Sequence, residues 1–258
     1  MTTKLLRLYS SELGRLLKNL IKIFLNQTWE IWRGVAQEFT FFLGRLKRTR
    51  KITAYLNSVT PKNRALQIGT GANPIAGWLN SDLFPSQSGT IFLDASAPLP
   101  LPNESLRFIY TEHTIEHISL AAARRLFIEL HRTLQVGGVV RIATPNLEKL
   151  LALFEEPKTN DQETYLAWMH ENWLARQGVH EMRPAYSLNL TMRAWGHQFL
   201  YDIEVLKDLA RITGFASCEP KTPQKSDFQQ LCNLEKHGDF IGNRWANDYE
   251  TLIIELAK

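Results

Sequence analysis

With 258 residues, 44% of them apolar and 22% charged, the chain has the composition of a globular protein with one sizeable core and room for a small appendage. Two cysteines, Cys218 and Cys232, exclude a disulfide-dense secreted scaffold and match no metal-ligand spacing, so a reducing, cytoplasmic setting is expected and no metal site is. The net charge of +4 divides into +8 up to Lys51 and −4 beyond it, which excludes a nucleic-acid-binding face over the whole chain and gives the first fifty residues a job of their own.

Residues 1–52 read as a helical extension. On a helical wheel Leu6, Leu13, Leu16, Leu17, Leu20 and Phe24 share one side, and Lys4, Arg7, Ser11, Arg15, Lys18 and Lys22 share the other. Such a helix either packs on the edge of the following domain or, through residues 1–25, rests peripherally on an anionic membrane. No apolar run approaches the roughly 20 residues that span a bilayer, and no leader pattern opens the chain. A second helix is predicted over Trp29–Leu46, with Thr28 as its cap and the basic cluster Arg45–Lys51 closing it.

From residue 53 the rhythm changes to short apolar runs alternating with turns and helical patterns, as in a parallel sheet with crossover helices. The predicted strands are Ala65–Ile68, Thr90–Leu93, Leu106–Tyr110 and Val139–Ala143, and Trp78–Asp82 is a short extended segment. An amphipathic helix covers Ser119–Leu134, and Gly137-Gly138 is expected to turn the chain back into the sheet. An insertion at 149–198 is rich in Trp, Tyr and His and carries no strand signal. It is either a functional lid over a substrate or a satellite helical pair with its own aromatic core. A helix over Ile203–Thr213 ends at Gly214, and strands are expected at Phe215–Glu219 and Thr251–Leu256.

The chemistry gathers at the strand ends. Leu66-Gln67-Ile68 runs into Gly69-Thr70-Gly71, a tight turn whose missing side chains let a ligand approach the backbone. Where a dinucleotide fingerprint wants a third glycine stands Pro74, which disfavours a nicotinamide cofactor. Asp82 and Asp94 each close an extended segment. The first suits the two hydroxyls of a ribose, and the second, with the backbone of Ala95, suits an adenine edge. Ten residues between Gly71 and Asp82 leave no room for a full crossover helix before the second strand.

Two further runs follow in order: Pro100–Tyr110 leading into Thr111-Glu112-His113-Thr114-Ile115-Glu116-His117-Ile118, and Leu130–Ile142 with its Gly137-Gly138 pair. The ordered set resembles class I S-adenosylmethionine-dependent methyltransferases of the type 11 methyltransferase-domain kind. It is most similar to a subgroup with a Gly-Trp-Leu-Asn-x-Asp element (Gly77–Asp82) and a Glu-His-x-x-Glu-His element (Glu112–His117). The likeness is strong over residues 60–147 and weaker to the end through Gly196–Asp202, Ala210–Phe215 and Tyr249–Lys258. It implies a Rossmann-like α/β domain over 53–258 with a seven-stranded sheet of order 3-2-1-4-5-7-6, the last strand antiparallel. It also implies S-adenosylmethionine as cofactor, with Gly69, Thr70 and Gly71 under its methionine part, Asp82 at the ribose, Asp94 and Ala95 at the adenine, and Thr111–His113, Glu112 included, beside the sulfonium. Thr70 stands where such proteins often carry Cys or Ser. The implied activity is methyl transfer to a small-molecule or glycan acceptor; the alternative is a methyltransferase-like binding or scaffold protein without turnover. For a general base the order of expectation is His113, His197 and then Glu112, with His117 packing at the start of the next helix.

Overall fold

Ala65–Ile68 forms β1 and all four of its residues are buried, as a continuous apolar run should be in a parallel strand covered on both faces. In this computed structural model, which describes residue 32 and residues 34–258, the chain divides into two units, 1–47 and 48–258. The smaller unit is helical at residue 32 and over 34–47, the described part of the helix predicted at Trp29–Leu46. The amphipathic helix expected before it, and its membrane contact, lie outside the described residues. Among the described residues no helix is long and apolar enough to cross a membrane.

In the larger unit, α1 (48–58) leads into the sheet. The strands after β1 are β2 (Leu79–Asp82), β3 (Ile91–Phe92), β4 (Leu106–Glu112), β5 (Leu134–Pro145), β6 (Ser217–Pro220) and β7 (Thr251–Ala257). Their spatial order is β3-β2-β1-β4-β5-β7-β6. The first five pair in parallel, and β7 runs antiparallel between β5 and β6, which is the Rossmann-like arrangement expected. Parallel strands need crossovers, and α2 (Leu120–Thr133) supplies the one between β4 and β5. Ser119 caps it by accepting from the Ala122 N–H, and Ala122, Ala123, Leu126, Phe127 and Leu130 form the stripe it buries. α6 (Ile203–Thr213) has the predicted bounds, with Asp202 capping its start and left-handed Gly214 its end.

Two local expectations are corrected. Gly137-Gly138 does not make the turn into β5, because the strand already begins at Leu134, paired with Leu106. The glycines instead absorb a register shift opposite Arg107. A Cβ on Gly138 would sit 2.9 Å from the Arg107 carbonyl oxygen, so the close strand approach requires glycine there. The third strand shrinks from Thr90–Leu93 to the two residues of β3.

No helix joins β1 to β2, as the short spacing required. Side chains hold the loop instead. Gln67 accepts from the Ile75 N–H and donates to the Asn73 carbonyl, while Asn80 accepts from the same Ile75 N–H and donates to the carbonyls of Ile75 and Trp78. The insertion folds as α3 (Leu147–Ala152), α4 (Asn160–Met169), one π-helical turn (His170–Leu174) and α5 (Pro184–Arg193). Thr159 and Gln162 close a reciprocal capping box on α4. Leu150, Leu153, Tyr165, Leu166 and Met169 form a satellite core with Leu200 and Ala246, so the insertion does have an apolar centre of its own. Past β6 come α7 (His237–Phe240) and α8 (Arg244–Glu250).

Candidate functional site

The carboxyl ends of β1 to β4 meet where the strand order reverses, the place at which open α/β sheets bind ligands. β1 ends in Gly69 (φ +73) and Gly71 (φ +53). The N–H groups of Gly69 and Thr70 both donate to the Ser81 carbonyl, and the buried Thr70 hydroxyl donates to it as well. The Thr70 side chain is therefore spent inside the fold, which leaves only its backbone to a ligand. The Gly71 N–H donates to Asp82 Oδ2 and the Phe84 N–H to Asp82 Oδ1, both at 2.8 Å. Two backbone donors thus fix the carboxylate beside the glycine turn while each oxygen retains a lone pair. One strand further, the Leu93 N–H donates to the Asp82 carbonyl, and Asp94 follows. Its Oδ1 accepts from the backbone N–H and hydroxyl of Ser96, and among the described residues Oδ2 has no partner. The half-buried Ala95 packs against the main core.

At the end of β4 the picture differs from expectation. Glu112 accepts from the backbone N–H groups of Lys236 and His237 at 3.0–3.1 Å. Burial raises its carboxyl pKa against the pull of those two donors. In the structure it anchors a distant segment. His113 takes a left-handed backbone (φ +47) and its Nδ1 donates to Glu116 Oε1 at 3.1 Å. Glu116 is fully buried, and its Oε2 accepts from the Thr144 hydroxyl. Burial disfavours charge on His113, but the hydrogen bond and charge of Glu116 outweigh it and hold the imidazole up to about 9. Burial would raise Glu116, and His113 holds it down. At neutral pH His113 is an imidazolium, which donates a proton and cannot accept one.

This has a measurable consequence. A histidine whose folded pKa lies above its unfolded value stabilises fully below about 6.5, and loses that contribution as pH rises through about 9. With chelator present, the unfolding free energy of the wild type should fall across that window, and His113→Gln should flatten the difference. Parallel pH profiles for the two proteins would refute the pairing.

A cavity of about 210 Å³ opens next to this pair. His113, His117, His197 and His237 line it together with Trp168, Trp173, Trp195 and Glu250. The insertion, with its own core, thus also supplies the aromatic wall. His197 Nδ1 donates to the Thr191 carbonyl at 2.5 Å, so Nε2 is the free acceptor, and burial pushes its pKa down. Of the predicted bases, His197 is the neutral one. The ring of His237 lies 4.1 Å from that of His113, and burial followed by repulsion from the His113 charge holds it down to about 3. Glu250 accepts from the Tyr165 hydroxyl, and burial raises its carboxyl pKa. Donor atoms of Glu116, His117 and His197 lie within 4.8 Å of one another. A second cavity, of about 430 Å³, is bounded by Ala72–Ile75 of the glycine loop and by Asn233, Leu234 and Lys236. Asp82 and Asp94 line neither.

The sequence offered no sign of His237 or Glu250. Both come from segments more than a hundred residues from His113; His237 belongs to no motif, and Glu250 lies in the weakly similar stretch Tyr249–Lys258 without an assigned role. Glu116 stood within the Glu-His-x-x-Glu-His element but was given no role.

No family model matches the chain, and no curated protein matches it. Solved structures do resemble it. An S-adenosylmethionine-dependent methyltransferase of Thermotoga maritima is 19% identical over 88% of this chain and 96% of its own, with a TM-score of 0.42. One from Archaeoglobus fulgidus is 15% identical over 83% and 94%, at 0.44. One from Mesorhizobium loti is 14% identical over 79% and 95%, at 0.45.

Proposed function

We propose that the chain transfers a methyl group from S-adenosylmethionine to a small-molecule or glycan acceptor held in the histidine- and tryptophan-lined cavity. The observation that carries this reading is the pair of carboxylates, Asp82 and Asp94, at the ends of adjacent strands beside a Gly-x-Gly turn at the switch point of the sheet. The polar groups there match a nucleoside: Asp82 has lone pairs for two ribose hydroxyls, and Asp94 Oδ2 is open to an exocyclic amine. Gly71 adds room, since a Cβ there would meet nothing within 4 Å. The cofactor supplies the methyl group on a sulfonium that leaves as a neutral thioether. What the protein supplies is position, worth about 7–11 kcal/mol when two reactants are held at attack distance. It also supplies a proton acceptor, and we assign that role to His197 Nε2, whose tautomer the Thr191 carbonyl sets. The imidazolium of His113 in the cavity wall and the carboxylate of Glu116 behind it then act as fixed charges.

Calorimetry with S-adenosylhomocysteine tests the reading directly. Wild type should bind, and Asp82→Ala should weaken binding by about 1.5–3 kcal/mol, roughly ten- to a hundred-and-fifty-fold. No heat with the wild type would sink the nucleoside assignment. Equal affinity for the variant would remove Asp82 from the ribose.

A further inference from the structure

We propose that Glu116, His117 and His197 bind one divalent transition-metal ion at the wall of the cavity. Their donor atoms already lie within 4.8 Å of one another. Metal–nitrogen and metal–oxygen bonds of about 2.0–2.2 Å at tetrahedral angles place ligand atoms about 3.4 Å apart. Closing the set needs the donor atoms to approach one another by at most about 1.4 Å.

The surroundings of each ligand are those a metal site needs. A bound histidine donates its other ring N–H to a carbonyl or carboxylate, which fixes the tautomer. His197 does this on the Thr191 carbonyl. A ligating carboxylate is itself hydrogen-bonded, and Glu116 receives one donor on each oxygen, His113 Nδ1 and the Thr144 hydroxyl, with a lone pair left on each.

The two ligand-bearing segments, eighty residues apart in sequence, are also clamped together. The Glu116 carbonyl accepts from the backbone N–H groups of Gln198 and Phe199, and the His117 carbonyl accepts from the Gln198 side chain. Trp195 (φ +58) and Gly196 (φ +83) force a left-handed double step just before His197 and bring its ring to 4.8 Å from that of His117. Backbone strain of this kind persists where the surroundings over-determine it. A further buried atom of the same cavity, His113 Nε2, has no partner among the described residues, and an oxygen carried into the cavity would satisfy it.

Two imidazoles and one carboxylate select the metal class. Magnesium and calcium prefer all-oxygen surroundings, and two imidazoles with a carboxylate suit a first-row transition-metal +2 ion such as zinc, iron, cobalt, nickel or copper. Three protein ligands leave coordination positions open to an oxygen ligand. With the ion bound, His197 Nε2 is a ligand and no longer the proton acceptor of the reading above; a hydroxyl-bearing acceptor on the open position would instead be oriented and acidified by the ion itself. Ion binding itself does not depend on that reading.

The experiment uses the whole chain, stripped with chelator and titrated with Co²⁺, whose visible absorption reports nitrogen and oxygen ligands. We expect saturation at one ion per chain. His117→Ala and His197→Ala should each weaken it about a hundredfold or more, because even the groups that merely orient a ligand contribute about 10–100-fold. Both variants should keep the wild-type circular dichroism spectrum, so the test does not depend on the buried Glu116. His180→Ala, an exposed histidine outside the cavity, should bind as wild type does. No saturable signal, or one that survives both substitutions, would overturn the proposal. Calorimetry with S-adenosylhomocysteine on the same stripped protein reads the nucleoside site separately, so either assignment can fail while the other stands.

Discussion

Arg141→Met is expected to lower the free energy of unfolding by about 3–5 kcal/mol, the usual result of breaking a buried ion pair from one side. Arg141 lies in the middle of β5 with no exposed surface. Its Nε donates to Glu235 Oε1 at 2.6 Å and its Nη1 to Glu255 Oε1 at 2.8 Å, and further bonds reach the carbonyls of Lys225 and Thr222. Burial disfavours the guanidinium charge, and the two carboxylates more than restore it. Methionine fills much of the volume but leaves the buried Glu235 without its cation and the buried Glu255 with only Lys221 at 4.0 Å. Urea denaturation followed by tryptophan fluorescence measures the loss. Replacing both glutamates by leucine in the Arg141→Met background should recover most of it, since the cost arises from unpaired charge and not from lost volume. A single variant within about 1 kcal/mol of wild type would remove Arg141 as the tie. The damage should also reach the cavity. Glu235 accepts from the Gln224 backbone, and the next two residues, Lys236 and His237, are the ones Glu112 holds by their N–H groups.

That tie explains why half of the site could be read in the sequence and half could not. The glycine turn, Asp82 and Asp94 sit at the ends of three successive strands; short apolar runs announce the first and third, and the second shows only as a short extended segment. Their geometry is local, so spacing is enough. The predicted bounds of β1 and α6 hold for the same reason: burial on both faces marks the first, and an N-cap with a terminal glycine marks the second. β5 was harder, because its first residues pair beyond the two glycines across a register shift, and a glycine pair reads as a turn whether or not it is one. The cavity wall is assembled from His113, His197, His237 and Glu250, which contacts across eighty or more residues bring together. The bonds that make those contacts include those of a buried arginine in an apolar strand and of a half-buried glutamate receiving backbone N–H groups. From sequence alone an arginine among Val139, Val140 and Ile142 signals an exposed position, and nothing local says that two carboxylates will find it.

Gly69→Ala should be nearly as damaging, at about 2–5 kcal/mol, and its comparison with Gly71→Ala separates what the turn does for the fold from what it does for a ligand. A Cβ on Gly69 would stand 2.1 Å from Thr114 Oγ1 and 3.2 Å from both of its side-chain carbons. Overpacking of that kind costs about 1–3 kcal/mol, and a left-handed backbone (φ +73) adds about 1–2 for any residue with a Cβ. Thr114 cannot simply turn away, because its hydroxyl donates to the carbonyl of Glu112, the residue that holds the 236–237 segment. Adding Thr114→Ala removes the closest contact and should restore part of the loss, leaving the backbone share. Gly71 is also left-handed (φ +53), yet a Cβ there meets nothing within 4 Å. Gly71→Ala should therefore cost the fold only the backbone share, about 1–2 kcal/mol, while its methyl projects into the space assigned to the nucleoside. Denaturation ranks the two variants by stability, and S-adenosylhomocysteine calorimetry measures binding by the more stable one. Equal stability losses would show that Thr114 yields and that the close approach at Gly69 is not a constraint. Undiminished nucleoside affinity in Gly71→Ala would place the ligand away from the turn.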